Sequence, residues 1–303
     1  DNKKLNIRIC FRYNYIHEFS YFIFEPRIQV NYKITPFLQL EVMGERKHQT
    51  TSQIVDLQQD FLGIEKRRWT LSNNADIPII KSSQASIGFS LNKNNWLLTL
   101  ENFYKKVDGI TSMSQGFQNQ YEFEKTNGNF TVYGTEFLIQ KQLKPITAWI
   151  SYTFQENNYE FKTFVPNTFP NNFEIKHNIK SALISDFNHI KLALGAQWFT
   201  GKPTTLPSSS TPIYTDPETP TVSYQAPNSS NLDDYFQVNF SGSYAFNLSK
   251  KSKLNFGFSI QNIFDNKTSI NQHYRINNNT NLVEEVNTYS LERTFNGFVR
   301  FSL

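Results

Sequence analysis

The sequence of 303 residues is rich in aromatic side chains (16%), yet it is hydrophilic on average, with a mean hydropathy of −0.51. The formal net charge of +4 is spread along the chain without a long basic run, which disfavours nucleic acid as a partner. No run of about 18 apolar residues occurs, so the sequence excludes a transmembrane helix. An aromatic-rich but hydrophilic chain is typical of two-faced strands, and we predict one all-β domain over residues 1–303.

Alternation of apolar and polar residues marks predicted strands along the whole chain. In the stretch 235–248, Phe236, Val238 and Phe240 share one face, and the intervening Gln237 and Asn239 share the other. A period of two indicates a strand between two different environments. The twelve predicted strands are residues 5–13, 24–34, 37–48, 83–92, 96–107, 130–141, 146–157, 175–187, 190–202, 235–248, 253–265 and 289–302.

The predicted connections alternate between short and long. The short ones are residues 35–36, 93–95, 143–144, 188–189 and 249–252; the long ones are residues 14–23, 49–82, 108–129, 158–174, 203–234 and 266–288. Outer-membrane barrels have this parity, because short turns face the periplasm and longer loops face outward. We therefore predict a transmembrane antiparallel β-barrel in contact with outer-membrane lipid, in the outer membrane of a Gram-negative bacterium.

Three glutamates fit the lumen of such a barrel. Glu41, Glu101 and Glu136 occupy inward positions beside the outward apolar residues Leu40, Leu100 and Phe137. In a membrane barrel one strand face meets lipid and the other a polar interior. We expect the three carboxylates to face the lumen.

The chain ends inside a strand pattern, "RTFNGFVRFSL". The apolar positions of this stretch, counted by twos, are Phe295, Val299, Phe301 and Leu303, with Gly297 between the first two. We expect this last strand to close the barrel and to be the segment that the barrel-assembly machinery reads.

Several stretches in series resemble a known family. They are "FEPRIQVNYKITPFLQL", "WLLTLENFYKKVDGI", "TVYGTEFLIQKQL", "AWISYTF", "QWFTGKPTTLP", "IQNIFDNK" and the closing "RTFNGFVRFSL". Together they resemble the C-terminal part of the barrel of TonB-dependent outer-membrane receptors, most closely the Bacteroidetes type. Barrels of this class have about 22 strands and a plugged lumen, whereas about twelve strands and no plug are found here. The missing half would belong to the same polypeptide or to another chain, or this is a smaller closed barrel; we favour the first.

The resemblance implies import of a scarce solute, namely a glycan, a peptide or a chelated metal. It also implies TonB as a partner through a plug region that is absent from this sequence, and a surface lipoprotein that lids the barrel. The expected chemistry is binding without covalent change, with no cofactor.

Two long connections carry candidate ligand-binding residues. Arg67, Arg68 and Trp69 lie in the first, and Tyr214 and Tyr224 lie in a proline-rich second. Aromatic faces suit sugar or peptide stacking, and arginines suit carboxylates. Ordinary loop packing explains the same residues about equally well.

No catalytic or metal-binding constellation stands out in the sequence. The five histidines are scattered without metal-ligand spacing, and no Gly-rich phosphate loop is present. Matches to the glycosylation sequon, such as "NSS" at residues 228–230, carry little weight in an Asn-rich chain. We therefore predict that the protein is not an enzyme and holds no metal.

Three alternatives remain open. The barrel could be a scaffold subunit of an outer-membrane assembly or secretion machine that transports nothing. It could be a complete small pore-forming barrel, or an outer-membrane enzyme with a catalytic set at its rim. A soluble β-sandwich adhesin is the least favoured, because it leaves the connection parity unexplained.

Overall fold

A computed structural model describes residues 4–56, 66–73, 76–216, 219–249 and 252–302. Two 3₁₀ helices, His17–Phe19 and Ser112–Ser114, lie among these residues. None of the helices in the described ranges has the length and hydropathy needed to cross a bilayer. The strands, in chain order, are β1 (Leu5–Ile16), β2 (Tyr21–Lys33), β3 (Leu38–Gln49), β4 (Thr51–Asp56), β5 (Lys66–Leu71), β6 (Ile80–Lys93), β7 (Trp96–Thr111), β8 (Asn127–Leu143), β9 (Ile146–Glu160), β10 (Thr168–Pro170), β11 (His177–Phe187), β12 (Ile190–Phe199), β13 (Pro203–Thr204), β14 (Ile213–Asp216), β15 (Thr219–Thr221), β16 (Ser230–Asn231), β17 (Tyr235–Asn247), β18 (Lys253–Gln261), β19 (Ser269–Asn277), β20 (Leu282–Tyr289) and β21 (Thr294–Ser302).

Thirteen of these strands form one antiparallel sheet: twelve follow the order β1-β2-β3-β6-β7-β8-β9-β11-β12-β17-β18-β21, and the short strand β10 pairs with β9 outside this order. These twelve, called the wall strands below, correspond one to one with the twelve predicted strands. The remaining nine strands have two to nine residues and lie within connections. The fold is thus all-β, and the prediction of an antiparallel barrel sheet is confirmed.

The connection lengths alternate as predicted, with one correction. Residues 14–23 were expected to form a long link, but β1 continues to Ile16 and β2 begins at Tyr21. Continuous pairing of Tyr13 with Phe24 through Ile16 with Tyr21 leaves only four residues between the two strands. The prediction failed because the aromatic residues of this hairpin extend the ladder beyond the cleanly alternating stretch.

The register confirms two different faces. One continuous row of facing residues, called the apolar row, crosses ten wall strands: Leu5, Tyr32, Leu40, Phe89, Leu100, Phe137, Tyr152, Ile179, Trp198 and Phe236. On each of these ten strands, the residue next to the apolar-row residue belongs to a second row of facing residues, called the polar row, which points to the other face of the sheet. The polar row consists of Asn6, Asn31, Glu41, Gly88, Glu101, Glu136, Thr153, Asn178, Phe199 and Tyr235. Since successive residues of a strand point to opposite sides, the three predicted glutamates share one face.

The outer strands of the sheet are β1 and β21. Within the described ranges, β1 is paired only with β2, and β21 only with β18. Phe295, Val299 and Phe301 share the face of Phe256 and Phe258, the residues opposite β21 on β18. The fourth residue predicted for this strand, Leu303, lies outside the described residues.

Candidate functional site

The long connections pack together into a cap at one end of the sheet. The cap comprises residues 112–126 and 161–176, the described residues of the segment 200–234 (200–216 and 219–234) and the β19–β20 hairpin. It is held by a buried cluster, called the cap core, to which the ends of β7 and β9 also contribute: Val107, Ile110, Phe117, Tyr121, Tyr159, Phe161, Phe164 and Phe169. Burial of so many large rings gives the cap its own hydrophobic interior.

A ring stack ties the segments 112–126 and 161–176 together. The rings of Tyr121 and Phe164 lie parallel, with centroids 3.7 Å apart. The Tyr121 hydroxyl donates to the Val165 carbonyl at 2.7 Å and accepts from the Val165 amide at 3.0 Å. Burial raises the pKa of the Tyr121 phenol above its ordinary value, so the hydroxyl stays neutral and keeps both bonds.

Asn228 joins the segment 200–234 to the same assembly. Its side-chain amide donates to the Pro170 carbonyl and to Asn172 Oδ1, both at 2.7 Å. The Thr205 hydroxyl accepts from the Asn228 backbone amide at 2.9 Å and from Asn119 Nδ2 at 3.2 Å. Asn228 is 5% exposed and has a φ of +53°, a left-handed conformation that Asn tolerates better than most residues.

The β19–β20 hairpin packs onto the outside of this segment. The Val283 amide donates to the Ser210 carbonyl at 2.9 Å, and Asn281 Nδ2 donates to the Tyr214 hydroxyl at 2.6 Å. Burial raises the pKa of Tyr224 to about 12, with smaller contributions from the Glu122 carboxylate and Tyr274. Tyr224 therefore lies where three parts of the cap meet.

The cap and the strands β4 and β5 border a cleft of about 980 Å³. Its charged lining residues are Arg67, Arg68, Lys125, Lys202, Glu122 and Glu124. Its amide side chains are Gln115, Gln118, Asn119, Asn172, Asn228, Asn271 and Gln272. Two further lining residues, Phe123 and Phe173, are 67% and 64% exposed. The cleft can therefore offer hydrogen bonds and stacking surfaces, together with both signs of charge.

Arg67 connects the β4–β5 hairpin to the floor of the cleft. One of its guanidinium nitrogens lies 4.0 Å from the point where a Cβ on Gly116 would stand. Gly116 itself has a φ of +60°, a conformation that favours glycine. The hairpin thus brings an arginine next to the backbone of the segment 112–126.

Two of the five predicted ligand residues line the cleft. Arg67 and Arg68 do so, whereas Trp69, Tyr214 and Tyr224 are not among the lining residues. Trp69 is 67% exposed on β5, and Tyr214 is 52% exposed on β14. A role in ligand binding stays a prediction for all five.

Most of the cleft residues were not predicted from the sequence, because their segments show no periodicity. Phe123 and Phe173 lie in segments without regular alternation, and Asn119 and Asn172 are ordinary members of an Asn-rich chain. The one available signal was the sequon at Asn228, where an asparagine stands in a polar loop next to Pro227. The structure shows that this asparagine is buried and makes structural hydrogen bonds.

Comparisons with known proteins agree with the fold. Residues 3–263 match the family model described as TonB dependent receptor-like, beta-barrel. Among curated proteins, no significant match is found.

Solved structures of low identity share the architecture. The ferric citrate transporter FecA, in its unliganded form, has a TM-score of 0.65 at 13% identity over 99% of this chain and 43% of FecA. The outer membrane transporter YddB from Escherichia coli has a TM-score of 0.65 at 12% identity, over 99% and 43%. The FrpB iron transporter from Neisseria meningitidis has a TM-score of 0.61 at 11% identity, over 99% and 44%. The chain spans less than half the length of these structures.

Proposed function

The chain belongs to the TonB dependent receptor-like β-barrel family, and from this premise we propose that it forms the C-terminal part of an outer-membrane receptor that imports a solute. The wall strands form one side of the barrel, and the cap faces the outside. The polar row lines the lumen, where Glu41, Glu101 and Glu136 meet the passing solute. Localisation in a Gram-negative outer membrane follows from the same proposal.

The observation that carries this proposal is the cleft inside the cap. It lies among the long connections, where binding residues of a barrel are expected because these connections face the outside. The cap core fixes the segments that line the cleft, so a ligand meets a preformed surface. A barrel that served only as a scaffold needs no such concave polar surface.

Within the described ranges, β1 and β21 each pair with only one other strand, which supports a larger barrel. An open edge leaves a row of backbone groups without partners, which is costly in lipid. We propose that further strands of the same polypeptide cover both edges. A plug region in that polypeptide would contact TonB and couple import to the inner membrane.

The chemistry of the cleft favours a glycan over the other solutes. Exposed amide side chains such as Gln118 and Asn271 match the many hydroxyl groups of a sugar, and the exposed rings of Phe123 and Phe173 can stack on pyranose faces. A peptide is the second choice, with Arg67 and Arg68 as carboxylate partners. A Bacteroidetes origin and a lipoprotein lid are consistent with glycan import and remain predictions.

Uptake of fluorescently labelled oligosaccharides by cells expressing the native receptor tests the proposal. We expect energy-dependent uptake of at least one neutral oligosaccharide, reduced about fivefold by Phe173→Ala, because one stacked ring contributes on the order of 1 kcal/mol. The matched control is Phe264→Ala, since Phe264 is 61% exposed and does not line the cleft. Uptake of ferric siderophores alone would contradict the glycan assignment, and the absence of any uptake would favour the scaffold alternative.

A further inference from the structure

A second concave surface lies on the opposite side of the wall from the polar row. It is an apolar groove of about 530 Å³. The groove, called the wall groove below, is flanked by Ile139, Ile150, Leu183, Leu194 and Val238. Its floor is lined by Ala148, Ser181 and Ala196. These residues alternate in phase with the apolar row, so the wall groove opens toward the hydrocarbon of the membrane.

The register explains why the surface is concave at this place. Ser181 on β11 faces Ala196 on β12, and the next strand, β9, contributes Ala148 opposite Leu183. Three neighbouring strands thus carry a small side chain where the surrounding positions carry Ile, Leu or Val. With strands about 4.8 Å apart, the depression is wide enough for one acyl chain.

A lysine stands at the end of the wall groove nearest the short turns. Lys141 lines the groove, and its Nζ lies 4.6 Å from the centroid of the Trp96 ring, which also lines it. The same Nζ donates to the Asn94 carbonyl, in the β6–β7 turn, at 2.9 Å. These contacts hold an ammonium group at the boundary between the apolar surface and the turns.

This boundary is positively charged in the described part of the chain. Lys33, Lys93 and Lys144 lie at the short-turn end, and no ion pair is found for them or for Lys141 among the described residues. Lys191 differs, because it pairs with Asp186 at 2.9 Å. At the opposite end of the sheet, cations such as Lys106, Lys176 and Arg293 each have a carboxylate partner.

We propose that the wall groove binds a phospholipid, with one acyl chain along the apolar depression and the anionic phosphate paired with Lys141. An ammonium that lacks a carboxylate partner complements a phosphate, and Trp96 suits the interface because its ring is apolar with one polar edge. Short turns of outer-membrane barrels face the periplasm, so the lipid comes from the periplasmic leaflet. The proposal rests on the barrel fold and is independent of which solute the cap binds.

Native mass spectrometry of the full-length receptor from lipid nanodiscs tests this site. The nanodiscs contain phosphatidylcholine with a minority of phosphatidylglycerol, and the retained lipids are counted by mass. We expect the wild-type protein to retain phosphatidylglycerol preferentially. Lys141→Gln should lower that preference about fivefold, which is the effect of one lysine near an anionic lipid surface. Ala196→Phe should fill the groove and lower retention of both lipids.

Two control variants separate the site from general effects. Lys33→Gln removes a positive charge at the same end of the sheet but on the face of the polar row, away from the groove, and Ala85→Phe enlarges a side chain on the same face as the groove elsewhere. Both should retain lipid like the wild type. If Ala196→Phe fails to assemble, Ser181→Leu fills the same depression. Equal retention of phosphatidylglycerol by Lys141→Gln and Lys33→Gln would overturn the proposal. Preferential retention of lipopolysaccharide over phosphatidylglycerol, from nanodiscs that contain both, would also overturn it.

Discussion

The cap and the wall are stabilised in different ways. The cap has a buried core, in which Tyr159 and Phe161 are fully buried, and it has side-chain hydrogen bonds between distant segments, such as those of Asn228. The wall is held mainly by backbone ladders, and many of its apolar side chains, such as Ile9 and Phe11, are more than half exposed. Lipid would cover those side chains in a membrane.

This difference bears on how such a receptor can be selective. A wall that depends on ladders and lipid tolerates changes of outward side chains, because its stability does not rest on specific packing. A cap with its own core holds the cleft residues in fixed positions, which lowers the ordering cost of binding. Substitutions in the cap should therefore lower its stability strongly and locally, whereas matched substitutions in the wall should change stability little.

Removal of a ring from the cap core should have the largest effect. Phe161→Ala empties a fully buried site, and we expect a loss of about 3–5 kcal/mol in the local stability of the cap. Hydrogen exchange should show faster exchange in residues 112–126 and 161–176 with β11 and β12 unchanged. Leu100→Ala, on the apolar row, is the control and should leave both regions protected. Equal loss of protection in the wall would break the comparison.

Addition of a methyl group at Gly201, at the base of the segment 200–234, should have the next largest destabilising effect. A Cβ on Gly201 would overlap the Leu232 carbonyl oxygen, so the two chain segments must separate. We expect Gly201→Ala to destabilise the cap by about 3 kcal/mol. In the wall, a Cβ on Gly195 would come no closer than 3.8 Å to Ser181 O, so Gly195→Ala should stay within about 0.5 kcal/mol. Thermal unfolding of both variants in detergent checks this, and similar losses would contradict it.

The hydrogen bonds of Asn228 can be tested without changing its backbone. Asn228→Gly keeps the left-handed conformation but leaves the Pro170 carbonyl and Asn172 without their donor, and we expect a loss of about 2 kcal/mol. Asn188→Gly is the matched control, because Asn188 has a similar φ of +50° but is exposed in the turn between β11 and β12. Limited proteolysis within residues 200–234 provides the measurement. Equal cleavage rates in the two variants would show that the hydrogen bonds of Asn228 do not order the cap.

The smallest effect concerns Glu174, whose carboxylate accepts from the Asn157 amide at 2.8 Å. Burial raises the pKa of Glu174, although the Asn157 amide and Lys176 act in the opposite direction. Because the folded cap binds this proton more tightly than the unfolded chain does, its contribution to stability is full below the ordinary carboxyl pKa. That contribution declines as the pH rises through the higher folded-state pKa. Glu174→Gln should remove this part of the pH dependence in melting curves, and an unchanged pH profile would contradict the assignment.

The sequence predicted the wall better than the cap for a physical reason. A strand between lipid and a polar interior must alternate, so all twelve wall strands were found. The lumen-facing position of Glu101 stays a prediction. Strand ends were less accurate: β7 continues to Thr111 and β8 begins at Asn127, because beyond the membrane no alternation is needed. Packing in the cap joins Asn119 to Thr205 and Tyr121 to Val165 across long separations, and no local pattern reveals such contacts.

The central claim is that this sheet is one part of a larger plugged barrel with an outward cap. The most direct test is the intact mass of the native polypeptide in purified outer membranes, with mapping of the peptides it contains. We predict a mass far above the 35.4 kDa of this chain, with peptides from a plug region and from further wall strands. A mass of 35.4 kDa for the membrane-inserted protein would contradict the account and would require another chain to cover the edges at β1 and β21.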